Sequence, residues 1–473
     1  MTDNRNMILA IVLSALVLIG WSALSDRFFP TATPPSTKVV DGKQVALPMP
    51  AADPTADAPS ALRSRRMVLG ETPRLRIETP RLMGSVNLKG ARIDDLVLTT
   101  HRQSLADNSP PIRLLSPGGA PSSYFASFGW TGQGLVAPGP DTVWMASAAS
   151  LTPAAPVTLS WNNGQGQRFD IKLSVDDGYM FTAEQTVTNT GTGAVAARPY
   201  ALISRANASE DPDSWTMHVG PVGVFDGAAN YDWGFDDIND EGDQRFSGRG
   251  GWVGFSDKYW LTALVPDQAA QAEAAIRRGG NGGFQADIAT DSAIIAPGKA
   301  VRTQSRLFAG AKEVQLLDQY QKQLGIEKFD KAIDWGWFEW FMKPIFALLN
   351  WLFAAIGNFG VAIICLTLIV RALLFPIAQR QFRSMAAMRV VQPKMKAVQD
   401  RYKDDKPRMQ QEMLKLYQEE KVNPLAGCLP ILLQIPIFYA LYKVLMLAVE
   451  MRHQPFYLWI KDLSAPDPLT IVN

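Results

Sequence analysis

The sequence predicts a partial α-helical membrane bundle of three spans joined to a large all-β domain outside the membrane. Three observations predict it. Long apolar runs occur near the start and in the last third of the chain, the region from Arg74 to Phe308 alternates apolar and polar residues in short runs, and the charge balance differs between these parts. With 473 residues, 47% of them hydrophobic, the chain has material for two or three domains. Its formal charge of +1 hides an asymmetry. Between Asp26 and Asp334 there are 29 Lys+Arg against 34 Asp+Glu, whereas between Arg380 and Lys421 there are 11 against 6. The two regions are expected to face different compartments. Both cysteines, Cys365 and Cys428, lie inside apolar runs, so no disulfide framework is expected and no lipobox cysteine follows the first apolar run.

Met7 to Leu24 is an uncharged run of 18 residues, the lower limit for a spanning helix. It is read as an uncleaved anchor (1–25), with a signal peptide cleaved near Ser22 to Ser25 as the alternative; either exports the β-rich region beyond it. Thr31 to Ala61 is rich in Pro, Ala, Thr and Asp and too poor in large apolar residues to bury a core, which gives a flexible linker over 26–66. The β domain is placed at 67–312. Val157, Leu159 and Trp161 share one face, Asn163-Gly164 comes next, and Phe169, Ile171, Leu173 and Val175 share another, which is a hairpin signature. Similar runs at Arg74–Glu78, Ile93–Thr99, Phe181–Val187 and Trp260–Val265 make a β-sandwich.

Residues 313–357 should form a polar helix, Val314 to Ile333, and then an interfacial helix dense in Trp and Phe. Its apolar part, Ile345 to Ile356, is about 18 Å long, short of the roughly 30 Å hydrocarbon core, so it is expected to lie on the membrane. The second span is placed at 358–379 and the third at 422–450, the latter with Lys443 as its one lysine. Between them, 380–421 is a basic segment with a break at Asp404-Asp405-Lys406-Pro407, read as a helical hairpin. The positive-inside rule makes that hairpin cytoplasmic and puts the β domain and the tail, 451–473, on the other side.

The feature that carries chemistry is Arg371, alone in the second apolar run and about 18 Å along its helix from Phe359. Two readings are open. The guanidinium can snorkel to the inner headgroups, or it can line a wet cavity open to the cytoplasm and attract acidic groups, which would justify an insertion cost of about 2.5–3.5 kcal/mol. Thr367 lies one turn earlier on the same face, and Gln434 is a polar residue of the third span near Pro430 and Pro436. The plainer fate of both is a hydrogen bond to nearby backbone. The basic hairpin fits an acidic protein, anionic lipid, nucleic acid or simple solvation. In the acidic stretch Asp232 to Asp243, a calcium loop starting at Asp237 would need a glutamate where Gly248 stands, so a solvated loop is expected. No nucleotide, zinc or nucleophile-elbow motif occurs, and the histidines are His101, His218 and His453, so no cofactor is expected. A sugar-modifying site in the β domain stays open because spacing cannot reveal one. A small-solute transporter would show repeated span patterns, which are not found.

The ordered segments AIICLTLIVRALLFPIA, MRVVQPKMK, LYQEEKVNPLAGCLPILLQIPIFYALYKVL and QPFYLWIKDLSAPDP, together with GGWVGFSDKYWLTALVP near the end of the β region, resemble the YidC/Oxa/Alb family of membrane protein insertases. The resemblance spans essentially the whole chain. It implies a non-enzymatic insertase and chaperone of the bacterial inner membrane, multi-pass, with a periplasmic β-supersandwich. Its hydrophilic groove would be lined by Arg371, Thr367 and Gln434, and the hairpin would be needed for activity. The implied partners are nascent membrane protein substrates, the lipid bilayer, the Sec translocon (SecYEG and SecDF) and the ribosome, with no nucleic acid as a primary ligand. Members of the family continue past DLSAPDP with three more spans and a basic tail, so the sequence ending at Asn473 is expected to be a fragment. The alternative function is a membrane-anchored periplasmic glycan-binding or glycan-modifying protein.

Overall fold

Side chains that alternate with a period of two can bury one face of a strand, and this pattern builds the first part of the molecule. In the computed structural model Val157–Asn162 pairs antiparallel with Gln167–Val175, placing Val157 opposite Leu173, Leu159 opposite Ile171 and Trp161 opposite Phe169. In the connecting loop the Asn163 side-chain oxygen accepts from the amides of Gln165 and Gln167 at 2.8 and 3.1 Å. The structure describes residues 38–40, 43–45, 62–132, 134–211, 216–279, 282–403, 405–420 and 429–465. They divide into two units after Asp334. The proposed anchor, 1–25, lies outside the described residues.

Among the described residues the first unit holds two large sheets. One has nine strands in the order Ala228–Asn230, Gly220–Phe225, Trp252–Ser256, Trp260–Pro266, Ala300–Ala311, Met180–Asn189, Gln167–Val175, Val157–Asn162 and Met145–Ala146. The other has eleven, and its central run is Phe284–Thr290, Val195–Arg205, Tyr124–Thr131, Arg92–Arg102 and Leu82–Asn87. Their inner faces meet through Trp130 and Phe169, 5.1 Å apart edge to face, and through Phe235, which stands 5.9 Å from Phe255 and 4.7 Å from Phe284. Trp252, Phe125, Phe169, Phe181, Phe255 and Phe308 are all but inaccessible, each burial stabilising the fold by about 1.5–3 kcal/mol. A polar tie joins the sheets where the buried Gln185 amide donates to the Gly129 carbonyl at 2.8 Å. The expected β-sandwich is therefore the fold of this unit.

Three details differ from expectation. Within the supposedly unstructured linker, Lys38–Val40 pairs antiparallel with Lys43–Val45; the intervening sequence is Asp-Gly, a strong hairpin signal that composition alone overrides. The acidic stretch is not a plain solvated loop: Phe235–Glu241 is a helix, α1, that buries Phe235 and Ile238, and its start is capped by the Gly234 amide donating to Asp237 at 2.6 Å. The polar helix α2 spans Val314–Leu324 and not Val314 to Ile333. Gly325, at φ 65°, stops it in the left-handed region, and a short 3-10 turn, Phe329–Ala332, comes after it.

Glu313 joins the end of the strand Ala300–Ala311 to α2. Its carboxylate oxygens accept from Arg81 Nη1 at 2.8 Å each, and one also accepts from the Tyr179 hydroxyl at 2.9 Å. Burial works against its charge, yet His101, Arg81 and Tyr179 around it outweigh that and hold the carboxyl down at about 2. Gly310, next to this seam, permits close approach: a Cβ there would lie 2.1 Å from Tyr179 Cγ.

The second unit is helical. Helix α3, Glu339–Ile356, buries Met342, Ile345, Phe346, Leu349 and Leu352, residues three and four apart that form one stripe. Trp340 and Trp351 stand exposed. It begins six residues before the expected apolar start, with Glu339 and Lys343 paired at 2.5 Å. After Gly357, Asn358 caps the next helix by accepting from the Val361 amide at 3.1 Å. That helix, α4, runs unbroken from Phe359 to Arg401, so the second apolar run and the first arm of the basic hairpin are one helix. Helix α5, Lys406–Glu419, starts at Asp405, whose side chain accepts from the Arg408 amide at 3.1 Å. Helix α6 is described over Leu429–Leu447. Among the described residues, Glu339–Ile356 and Phe359–Gln379 are long and apolar enough to cross a membrane, and Gln434–Leu447 is a shorter apolar helix.

Candidate functional site

Residues four apart on a helix share a face. That places Thr367 and Arg371 together on α4, and α6 presents Gln434 to the same space. The three line one cavity of about 350 Å³, walled by apolar side chains that include Phe375, Phe382, Ile437, Phe438 and Leu441. All three residues singled out in the sequence are thus brought together, although Gln434 is more than sixty positions from Thr367. Among the described residues Arg371 has no ion-pair partner. Thr367 has the plainer fate foreseen for it, since its hydroxyl donates to the Ile363 carbonyl at 2.8 Å. Its oxygen retains acceptor capacity.

The walls were not foreseen. Phe375 and Phe382 follow Arg371 by one and three turns on α4, a spacing legible in the sequence, but Ile437, Phe438 and Leu441 join them only through the packing of two distant helices. The result is a mainly apolar cavity with one fixed positive charge and two uncharged polar groups. Such a space accommodates apolar chain and still offers a carboxylate or amide a partner. Outside the cavity, Ile364, Leu368, Leu373 and Ile435 are exposed. Apolar surface of that kind is covered at no cost by hydrocarbon and unfavourably by water.

Two family models match the chain, the YidC periplasmic domain over residues 74–348 and the 60Kd inner membrane protein over residues 351–473. The chain belongs to the YidC family. Membrane protein insertase YidC of Zymomonas mobilis subsp. mobilis is 49% identical over 474 residues, covering 100% of this chain and 81% of the relative. Membrane protein insertase YidC of Beijerinckia indica subsp. indica is 44% identical over 494 residues with the same coverage. A crystal structure of an active YidC insertase with its first transmembrane domain resolved is 19% identical, covers 96% of this chain and 83% of that one, and has a TM-score of 0.31. The boundary between the two matches falls within α3, whereas the packing of the chain divides earlier, after Asp334.

Proposed function

We propose that this protein is a membrane protein insertase in which the cavity between α4 and α6 receives a nascent segment on its way into lipid. The observation that carries this reading is the lone arginine of the apolar stretch Phe359–Gln379 lining a cavity beside Thr367 and Gln434. Arg371 pairs transiently with an acidic or polar group of the client while the apolar walls accept the rest, and no bond is made or broken. Helices α4 and α6 are spans, α3 lies along the interface, and the β unit faces the periplasm of the bacterial inner membrane. The basic hairpin, rich in Lys and Arg, is cytoplasmic, where it suits a translating ribosome, and the protein works alone or with the Sec translocon.

The test is insertion in cells depleted of their own insertase, with a client carrying acidic residues in its translocated tail and a second in which these are amides. Arg371→Ala should slow the acidic client by at least about tenfold, equivalent to about 1.4 kcal/mol, and leave the amide client within about twofold. Arg371→Lys, which keeps the charge but not the planar fork, should restore part of the rate. Equal effects of Arg371→Ala on both clients would refute the electrostatic role.

A further inference from the structure

The chain beyond α6 carries a feature that the cavity does not use. Between His453 and Ser464 it folds back on itself: the Leu463 amide donates to the Gln454 carbonyl at 3.0 Å, and the Phe456 amide to the Ile460 carbonyl at 3.0 Å. Asp462 ties the base together by accepting from the amides of His453 at 3.1 Å and Ser464 at 2.8 Å. The result is a closed, braced turn whose tip is Tyr457, Leu458 and Trp459.

Two departures from ordinary turn chemistry coincide at that tip. Leu458 holds φ 61°, in the left-handed region where Gly or Asn sits at ease and leucine is strained. The same side chain is 85% exposed, with Tyr457 59% and Trp459 50% exposed beside it. One bare leucine means little. Three consecutive large apolar side chains on a strained and braced turn make a patch that calls for a partner.

The place of the turn in the fold selects that partner. It is seated on the start of α4, where Gly360 leaves the space that Phe456 fills: a Cβ there would lie 2.1 Å from Phe456 Cδ2. The apolar stretch Phe359–Gln379 has 21 residues, about 30 Å of helix and so the thickness of the hydrocarbon core. On the reading of α4 as a span, on which this inference rests, Phe359 marks the outer edge of the hydrocarbon and the tip stands level with the headgroups. Tyr and Trp suit that layer, each with an apolar body and one polar group, and Leu458 reaches the acyl chains below it. We propose that Tyr457, Leu458 and Trp459 insert into the outer leaflet at this boundary and set the depth of α4. Because the turn is wedged against Gly360, its depth fixes that of Arg371, about 16 Å further along the same helix. The tip positions the cavity without lining it.

The experiment uses the full chain, with Cys365→Ala and Cys428→Ala, in vesicles of phosphatidylcholine and phosphatidylglycerol. A fluorescent NBD group is attached at Leu458→Cys on the tip, at Leu368→Cys midway along the apolar stretch, or at Ile294→Cys, which is exposed on the β unit. Quenching is read with spin-labelled lipids that carry the label high or low on the acyl chain. The high label should quench the tip probe at least about threefold more than the Ile294 probe, and the low label should dominate at Leu368. Replacing the tip by Tyr457→Ser, Leu458→Asn and Trp459→Ser together should change the low-to-high quenching ratio at Leu368 by about twofold or more. Leu458→Asn alone suits the left-handed turn, so it decides the matter if the triple variant does not fold; the ratio should move in the same direction while the melting temperature in detergent does not fall. An unquenched Leu368 probe would refute α4 as a span, and with it the proposed function and this inference. A quenched Leu368 probe beside an unquenched tip, or a ratio untouched in the folded Leu458→Asn, would overturn this inference alone.

Discussion

Replacing Glu313 by glutamine removes one charge while keeping the shape of the side chain, and the structure sets the size of the effect. The carboxyl sits at about 2 against an ordinary 4.5. At roughly 1.36 kcal/mol per pH unit, that gap of 2.5 corresponds to about 3.4 kcal/mol of stabilisation. Glu313 is 23% and Arg81 35% exposed, so water screens part of it, and about 2 kcal/mol is the expected loss in Glu313→Gln. For a unit of this size the melting temperature should fall by about 4–8 °C. The pH dependence has a fixed sign: because the folded state lowers the pKa, the stabilisation is complete above 4.5 and fades as pH falls toward 2. Denaturant and thermal unfolding of residues 62–334, with and without the substitution, would be followed from pH 7 to pH 2.5. The two curves should converge below pH 4.5. No difference at pH 7, or a difference that widens on acidification, would refute the reasoning.

In Gly310→Ala the new methyl meets the buried Tyr179 ring, and the denaturation midpoint should drop by the equivalent of about 3 kcal/mol with an unchanged m-value; an unchanged midpoint would show that the ring has room to move. Asp405→Ala removes the cap of α5 and should cost that helix about 1 kcal/mol. Amide exchange should then quicken at Arg408 and its neighbours and stay constant in the strands, and uniform exchange would argue against the capping role.

Legibility of the sequence tracked the range of the interactions. The hairpin at Val157–Val175 was readable because its pattern and its turn are local. Strand Arg92–Arg102 was readable as a strand but not as a place for two buried carboxylates: Asp94 and Asp95 are neutralised by Arg74 and Arg65, partners twenty and thirty positions away. Burial pushes the Asp94 carboxyl up despite the Arg74 charge, a balance no composition rule anticipates. In the same way Arg371 and Thr367 were legible from helical spacing, whereas the apolar walls from α6 and the cavity of the strand-built unit, assembled from residues 103 to 260, exist only once distant elements pack. The Val314 to Ile333 stretch was misjudged for a local reason, since Gly325 interrupts an otherwise helical pattern.

The unbroken run of α4 from the cavity into the hairpin has a mechanical consequence. Arg371 and Arg401 are thirty residues apart on one helix, about 45 Å at 1.5 Å per residue. Over that arm a tilt of about 5° at the cavity carries the far end through about 4 Å, about the width of an extended strand. Pro376 and Pro393 lie within the arm, and each withholds one rung of the backbone ladder. These are the two points at which the arm bends most readily, one just beyond the arginine and one within the first arm of the hairpin, so the stiff length of helix between them ties the cavity to the basic segment.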